Sequence, residues 1–182
     1  MSETPHVLIT PRLEPCVART VLDDEAALLR TEFEYPKQAH PSPLTTAERL
    51  NQDLGIQTPA PRAILGDLEM VFLDAQRLES VEWRTNASSW PRAQIDDFPG
   101  NLPPVWINFD VAYDSNGIYS LDLDISVRWD PVRARVVLRF DQRAVTQDWV
   151  RLAETVAVGI SSEGALVELR LDDLAVMPNV ED

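Results

Sequence analysis

Histidine and cysteine, the residues that most often carry acid–base, nucleophilic or metal chemistry, are scarce in this sequence. The two histidines, His6 and His40, both lie beside prolines in predicted loop or edge positions. Cys16 is the only cysteine, so the chain can form neither an intrachain disulfide nor a thiolate metal cluster. Most catalytic triads and zinc sites need a well-placed histidine or several thiolates. The sequence therefore predicts no catalytic residue, no metal site and no cofactor.

One glycine-rich stretch has the outline of a nucleotide motif. Gly159 and Gly164 have the spacing of the two glycines of a phosphate-binding loop, but Ala165 and Leu166 follow where lysine and serine or threonine are required. The same stretch lacks the last glycine of a nucleophile elbow. A hairpin turn explains both glycines.

The remaining candidate site lies on a predicted antiparallel β-meander from about Val105 to Asp141. Apolar and polar residues alternate through its three strands, the pattern of a sheet with one buried face. The parity of this alternation predicts a three-residue bulged turn that ends with Gly117 in a left-handed conformation. That register places Asp110 opposite Asp122.

The same register places Asn108 opposite Asp124, and the third strand follows a turn at Asp130–Arg133 of either two or four residues. Like charges directly opposite destabilise a sheet by up to about 1 kcal/mol. Arg139, opposite Asp122 or Asp124, offsets this repulsion.

The charged outer face of this meander is the predicted partner-binding surface. Exposed tryptophan and arginine are typical anchors of protein interfaces, whereas a solvated face with cross-strand ion pairs is the simpler interpretation. The predicted binding residues are Trp106, Asp110, Asp122, Asp124, Arg128, Arg135 and Arg139.

The charge balance limits the class of partner. The chain of 182 residues has 30 acidic and 16 basic residues, a net charge of −14. Such a field repels nucleic-acid phosphate and anionic membranes and attracts basic proteins. The sequence begins without a secretory signal and contains no apolar run of the ~20 residues that a transmembrane helix needs. We therefore expect a cytoplasmic protein whose partner is another protein with a basic surface, and neither nucleic acid nor membrane.

The first third of the chain is predicted to contain a short strand and two helices. His6–Thr10 has the composition of a strand. Apolar residues recur at helical spacing within Asp24–Glu34. Thr45 and Glu48 form a capping box for a second helix that ends at Gly55.

Two later stretches, 66–84 and 147–160, fit either helix or strand. The β-branched and aromatic residues of Ser80–Thr85 favour two strands in the first stretch. For the second, a hairpin around Ser161–Gly164 is favoured over a helix capped by Thr146. A long irregular loop is predicted near 86–104, which is rich in proline.

These elements predict a single α+β domain. An antiparallel β-meander or sheet of about five to seven strands carries two N-terminal helices packed on one face. Residues 1–61 form a helical, proline-rich part and residues 62–182 a β-rich part.

The leading predicted function is a non-catalytic acidic protein-binding module, either an inhibitor or immunity-type protein or an adaptor within an assembly. The first alternative is a small-ligand-binding protein with an apolar pocket between helices and sheet. The second is a hydrolase that uses paired carboxylates among Asp110, Asp122 and Asp124. The pocket of the first alternative would be lined by Trp83, Phe109, Tyr113 and Tyr119.

Overall fold

The computed structural model describes residues 4–12, 16–36, 60–73, 77–97 and 102–177. These residues form fourteen β-strands and one short 3-10 turn at Ala87–Ser89, with no α-helix among them. The strands are arranged in three sheets of seven, five and two strands. The predicted α+β class with helices packed on a sheet is therefore wrong, because the described part of the chain is almost entirely β.

The strands follow one another along the whole described chain. In chain order they are β1 (Val7–Pro11), β2 (Val17–Asp23), β3 (Leu28–Glu34), β4 (Arg62–Leu65), β5 (Leu68–Phe72), β6 (Leu78–Arg84), β7 (Val105–Phe109), β8 (Ile118–Leu121), β9 (Ser126–Asp130), β10 (Arg135–Arg139), β11 (Asp148–Ala153), β12 (Val156–Ile160), β13 (Leu166–Leu171) and β14 (Ala175–Val176). No helix capable of crossing a membrane occurs in the described ranges.

The first predicted N-terminal helix is a turn followed by strand β3. Leu29, Thr31 and Phe33 are buried while the residues between them are exposed, which is the two-residue period of a strand. The helical spacing depended on Ala26, which lies in the turn at 24–27 that joins β2 to β3. The second predicted helix, with Thr45 and Gly55, lies outside the described residues, as does His40.

The seven-stranded sheet confirms the strands predicted within 66–84. Its order is β14-β2-β3-β6-β5-β4-β8, antiparallel except for the β14–β2 and β4–β8 pairs. Leu68, Met70 and Phe72 of β5 point into the core and are fully buried. The opposite face carries cross-strand ion pairs, such as Arg30 with Glu82 at 3.2 Å. The seven-stranded sheet thus also has an outer face with cross-strand ion pairs, of the kind predicted for the meander.

The five-stranded sheet confirms two predicted hairpins. Its order is β11-β12-β13-β10-β9, all antiparallel. β9 and β10 are joined by a four-residue loop, because Asp130 pairs with Arg135. β12 and β13 pair as expected, with Val158 opposite Leu169, and both strands are buried on both faces. The helix capped by Thr146 is replaced by β11 and β12.

The first half of the predicted meander is wrong. The local turn forms: Asp114 N–H donates to the Ile118 carbonyl at 2.9 Å, and Gly117 is left-handed with φ 75°. The flanking strands nevertheless do not pair with each other, since β7 pairs with β1 and β8 with β4. Asn108 consequently faces Leu8 rather than Asp124. The predicted cross-strand pair of Asp110 with Asp122 is lost for the same reason.

Buried side chains of all three sheets meet in one core. Phe72 and Phe109 meet edge to face, with ring centroids 5.8 Å apart. The ring of Trp90 stacks on Trp83 at 5.6 Å and contacts Trp129 at 5.9 Å. Each such aromatic contact is worth about 0.5–1.5 kcal/mol beyond the buried area. The phenylalanine pair joins the seven- and two-stranded sheets, and the tryptophan contacts join the seven- and five-stranded sheets.

Asp130 fastens the β9–β10 turn to the chain near residue 95. Its Oδ2 accepts a hydrogen bond from the Ile95 N–H at 3.1 Å, and its Oδ1 accepts from the N–H groups of Val132 and Arg133 at 3.2 Å each. These hydrogen bonds hold the pKa of the Asp130 carboxyl below its usual value, and the bond from Ile95 has the largest effect. The charged form is therefore the one the fold requires.

We expect Asp130 to make stability depend on acid pH. Its folded pKa is lower than its unfolded pKa of about 3.9, so its contribution is present above that value and is lost as pH falls through the folded pKa. The urea midpoints of wild type and Asp130→Asn should therefore converge as pH falls below about 4. Parallel curves for wild type and Asp130→Asn would contradict the assignment.

Two left-handed glycines differ in what surrounds them. At Gly66 (φ 58°), in the β4–β5 turn, an added Cβ would lie 2.3 Å from the Leu123 carbonyl oxygen. At Gly164 (φ 81°) the nearest atom would be His6 Nδ1 at 3.8 Å. We expect Gly164→Ala to lose about 1–2 kcal/mol of unfolding free energy through backbone strain alone. Gly66→Ala adds a collision and should lose clearly more; equal losses in urea denaturation would refute the close approach.

Candidate functional site

A cleft of about 1120 Å³ opens where the residues just before β1 meet three other parts of the chain: the β12–β13 turn, the loop between β10 and β11, and the segment after β8. This volume lies slightly above the range of about 300–1,000 Å³ that is typical of ligand-binding clefts. The cleft is lined by Thr4, His6, Asp122, Leu123, Asp124, Phe140, Asp141, Gln142, Arg143, Ala144, Val145, Gln147, Ser161, Ser162, Glu163 and Ala165.

The lining of the cleft combines acidic and apolar groups. Phe140, Leu123 and Ala144 supply apolar surface, and Arg143 is the one arginine among the lining residues. The carboxylates around it are Asp122, Asp124, Asp141 and Glu163. The cleft therefore has a net negative lining in a chain that is itself strongly acidic.

The loop between β10 and β11 is fixed by one arginine. Arg139 Nε donates to the Asp141 carbonyl at 3.0 Å, and its Nη2 donates to the Ala144 carbonyl. The remaining amino group, Nη1, donates to Glu168 Oε1 at 2.8 Å. A single guanidinium thus ties two points of the loop to strand β13.

Glu168 is the buried counterpart of that arginine. Its side chain is 4% exposed, and it also accepts from Arg128 Nη2 at 3.2 Å and from Thr146 Oγ1 at 2.8 Å. Gly159 lies opposite Glu168, and a Cβ there would come within 2.7 Å of Thr146 Cγ2. The glycine of the rejected phosphate-loop motif is therefore required by packing.

The β12–β13 turn is fixed in a different way. Ser161 Oγ accepts from the N–H groups of Glu163 and Ala165 at 3.2 and 3.1 Å. Val7 N–H donates to the Gly164 carbonyl at 2.8 Å, and His6 forms a β-bridge with Ala165. The start of β1 is thereby fastened to the turn.

The third side of the cleft depends on Gly66. Its N–H donates to the Leu121 carbonyl at 2.9 Å, and its lack of a side chain admits the Leu123 carbonyl. This contact sets the path of Asp122 and Asp124. All three sides are consequently held by hydrogen bonds to the sheets before any ligand arrives.

The structure separates the predicted partner-binding carboxylates. Asp122 and Asp124 line the cleft. Asp110 is exposed, and its N–H donates to the His6 carbonyl at 3.0 Å, but it is not among the lining residues. Two of the three predicted carboxylates thus share a site, although not the one predicted.

The predicted arginines do share one face. Arg128, Arg135 and Arg139 lie on the same side of the β9–β10 hairpin. Arg139 is opposite Ser126 and binds Glu168, so its predicted place opposite Asp122 or Asp124 is wrong.

Arg135 belongs to a second ionic cluster, which sequence reasoning missed. Buried Arg170 binds both oxygens of Asp172, at 2.8 and 3.0 Å, the strong bidentate geometry. Arg135 Nη1 donates to the Asp96 carbonyl at 3.0 Å, and Arg170 Nη2 donates to the same carbonyl at 2.7 Å. The alternation of charged and apolar residues in β13 was the available signal.

Trp106 takes part in internal packing. Its ring lies 5.1 Å from that of Tyr35, and the Arg12 guanidinium sits 4.7 Å from the Trp106 ring centroid. Arg12 is buried and donates to the Leu152 carbonyl at 2.6 Å. This cation–π contact makes Trp106 a structural residue at the end of the β1–β7 pair.

Cys16 is buried close to the same group. Burial raises the pKa of its thiol, although Arg12 acts in the opposite direction. A protonated, buried thiol is a poor nucleophile, so nothing in this surrounding favours catalysis by Cys16. Among the residues the structure describes, no three histidine, cysteine or acidic side chains converge to hold a metal ion.

Comparison with known protein families finds no match for the chain, and no curated protein is significantly similar to it. The cleft must therefore be interpreted from its own chemistry.

The two arginines that bind Glu168 should differ in their effect on stability. Arg139→Ala leaves a buried carboxylate with less compensation and releases two loop carbonyls, so we expect a loss of about 3 kcal/mol of unfolding free energy. Arg128 is 51% exposed, so Arg128→Ala should lose at most about 1 kcal/mol. Urea denaturation measures both, and faster amide exchange at 141–147 in Arg139→Ala would locate the effect. Similar small losses in both variants would show that Arg139 does not hold the loop.

Proposed function

We propose that the protein is a non-catalytic binding module whose acidic cleft takes a basic segment of a partner protein. The observation that carries this proposal is the set of carboxylates around a cleft whose three sides are held by the fold. An inhibitor or an adaptor within an assembly would use such a site.

The cleft provides both apolar surface and carboxylates for lysine and arginine side chains. Their methylene stems can lie on apolar surface such as Leu123 and Val145, while the charged heads reach carboxylates. Asp124 and Glu163 are exposed and remain accessible to a partner. A basic residue therefore gains packing and charge pairing at the same place.

The anchoring of the cleft favours binding by reducing its entropic cost. A loop that must be ordered on binding consumes part of the interaction energy. The contacts of Arg139, Ser161 and Gly66 order the three sides in the absence of a partner. In addition, the net charge of −14 accelerates encounter with a basic protein.

The two alternative functions receive less support. Trp83 and Phe109, expected to line an apolar ligand pocket, are packed in the core, and no described helix covers a sheet to form the pocket's other side. The hydrolase prediction was based on the cross-strand pair of Asp110 with Asp122. This pair does not form, because β7 pairs with β1 and β8 pairs with β4.

Charge reversal at the cleft tests the proposal. Affinity capture with mass spectrometry would compare wild type with an Asp124→Arg, Glu163→Arg double variant. A Glu25→Arg, Glu154→Arg variant is the control, because it changes the net charge equally at exposed turns outside the cleft. We expect wild type and control to retain the same basic proteins at low salt, and the cleft variant to lose them.

High salt should also release these proteins, since exposed charges are screened within about 8 Å at physiological ionic strength and less above it. Undiminished capture by the cleft variant would remove the cleft from the proposal.

A further inference from the structure

Strand β1 has a strand partner on one side only among the described residues. It pairs with β7, and the two form a separate sheet. Leu8 and Ile9 are 49% and 40% exposed, although both are apolar. An edge strand with consecutive exposed apolar residues is a template for pairing with another chain.

The register shows which backbone groups of β1 point to the open side. Asp110 N–H donates to the His6 carbonyl, and Arg12 N–H donates to the Pro104 carbonyl at 3.1 Å. In an antiparallel ladder, the N–H and C=O of one residue point to the same side, and the side alternates along the strand. The even-numbered residues therefore face β7, and Val7, Ile9 and Pro11 face away from it.

Ile9 is the centre of this open edge. Val7 N–H is taken by the Gly164 carbonyl, and Pro11 has no N–H to offer. Ile9 presents both an N–H and a C=O, for which the described part of the chain provides no strand partner. The carbonyls of Val7 and Pro11 flank it as further acceptors, so a short extended segment could pair there.

The open edge begins at the cleft. The bond between Val7 and Gly164 places the first residue of β1 against the β12–β13 turn, whose Glu163 lines the cleft together with His6. A strand added beside Ile9 would thus lead directly to the carboxylates. The two features form one continuous surface.

We propose that the basic segment of the partner binds as an extended strand added to the open edge of β1, with its lysine or arginine side chains in the adjoining cleft. This inference rests on the proposed function and specifies the binding mode. Strand addition supplies main-chain hydrogen bonds and leaves specificity to alternate side chains. A second copy of this chain is disfavoured as the occupant, because two proteins of charge −14 repel each other.

The test uses a capped peptide of alternating arginine and valine and a second peptide of the same sequence with every backbone nitrogen methylated. Both have the same charge and side chains, but only the first can donate main-chain hydrogen bonds. Fluorescence anisotropy with the full chain should give about tenfold weaker binding for the methylated peptide, the effect of losing one or two hydrogen bonds. Binding of the unmodified peptide should also slow amide exchange at Ile9.

A protein variant probes the same edge from the other side. Ile9→Pro removes an N–H that lies outside the β1–β7 ladder, and edge positions of this kind tolerate proline. We expect it to weaken the unmodified peptide about tenfold, because the Ile9 N–H would donate to a peptide carbonyl, a bond separate from those that methylation of the peptide removes. The peptide comparison on wild type decides the matter even if this variant folds poorly.

The outcomes separate the binding mode from the function. Equal binding of both peptides, lost in the Asp124→Arg, Glu163→Arg variant, would overturn strand addition and leave the acidic cleft as a binding site. Failure of both peptides to bind would count against both proposals. A dimer detected by light scattering and dissociated by Ile9→Pro would assign the edge to a second copy and overturn the present assignment.

Discussion

Burial of the Glu168 carboxylate is the constraint around which the five-stranded sheet and the cleft are organised. An isolated carboxylate in a protein interior is unfavourable by several kcal/mol, so the fold must bring cations and donors to it. Arg139 and Thr146 meet this need, and both lie at the ends of the loop between β10 and β11. Satisfying one buried charge therefore also fixes a side of the cleft.

A second buried ion pair stabilises irregular chain two residues further along β13. Arg170 and Asp172 form a buried pair that takes up the carbonyls of residues 96 and 97. The loop between β10 and β11 and the chain at residues 96 and 97 are not part of any strand. Both are held by hydrogen bonds that involve charged side chains of the buried strand β13. The apolar face of that sheet is left to pack against the seven-stranded sheet.

Local patterns in the sequence were informative where partners are close in the chain. The β9–β10 and β12–β13 hairpins were predicted because alternation and turn residues such as Asp130 and Gly164 act over a few positions. The Asp24–Glu34 helix was wrong because Ala26, Leu29 and Phe33 fit a helical period, while the strand period starts only at Leu28. Two periods can coincide over so short a stretch.

Pairing between distant strands could not be inferred from alternation. Alternation indicates which face of β7 is buried, but it does not indicate whether β1 or β8 pairs with β7. That pairing determines the position of Asp110. Asp122 and Asp124 were predicted as binding residues because their strand was expected to pair with the strand that carries Asn108 and Asp110. The observed strand order lacks that pairing. Glu168 and Arg170 were missed because charged residues in a strand ordinarily face solvent.

The pairing of β1 also has a consequence for the order of folding. Val7 bonds at Gly164 and its strand lies along β7, roughly 100 residues away in sequence. During synthesis the first strand therefore emerges long before either partner exists, and closing so large a loop is entropically slow. The N-terminal strand should be among the last to settle, and among the first to open when the native protein fluctuates.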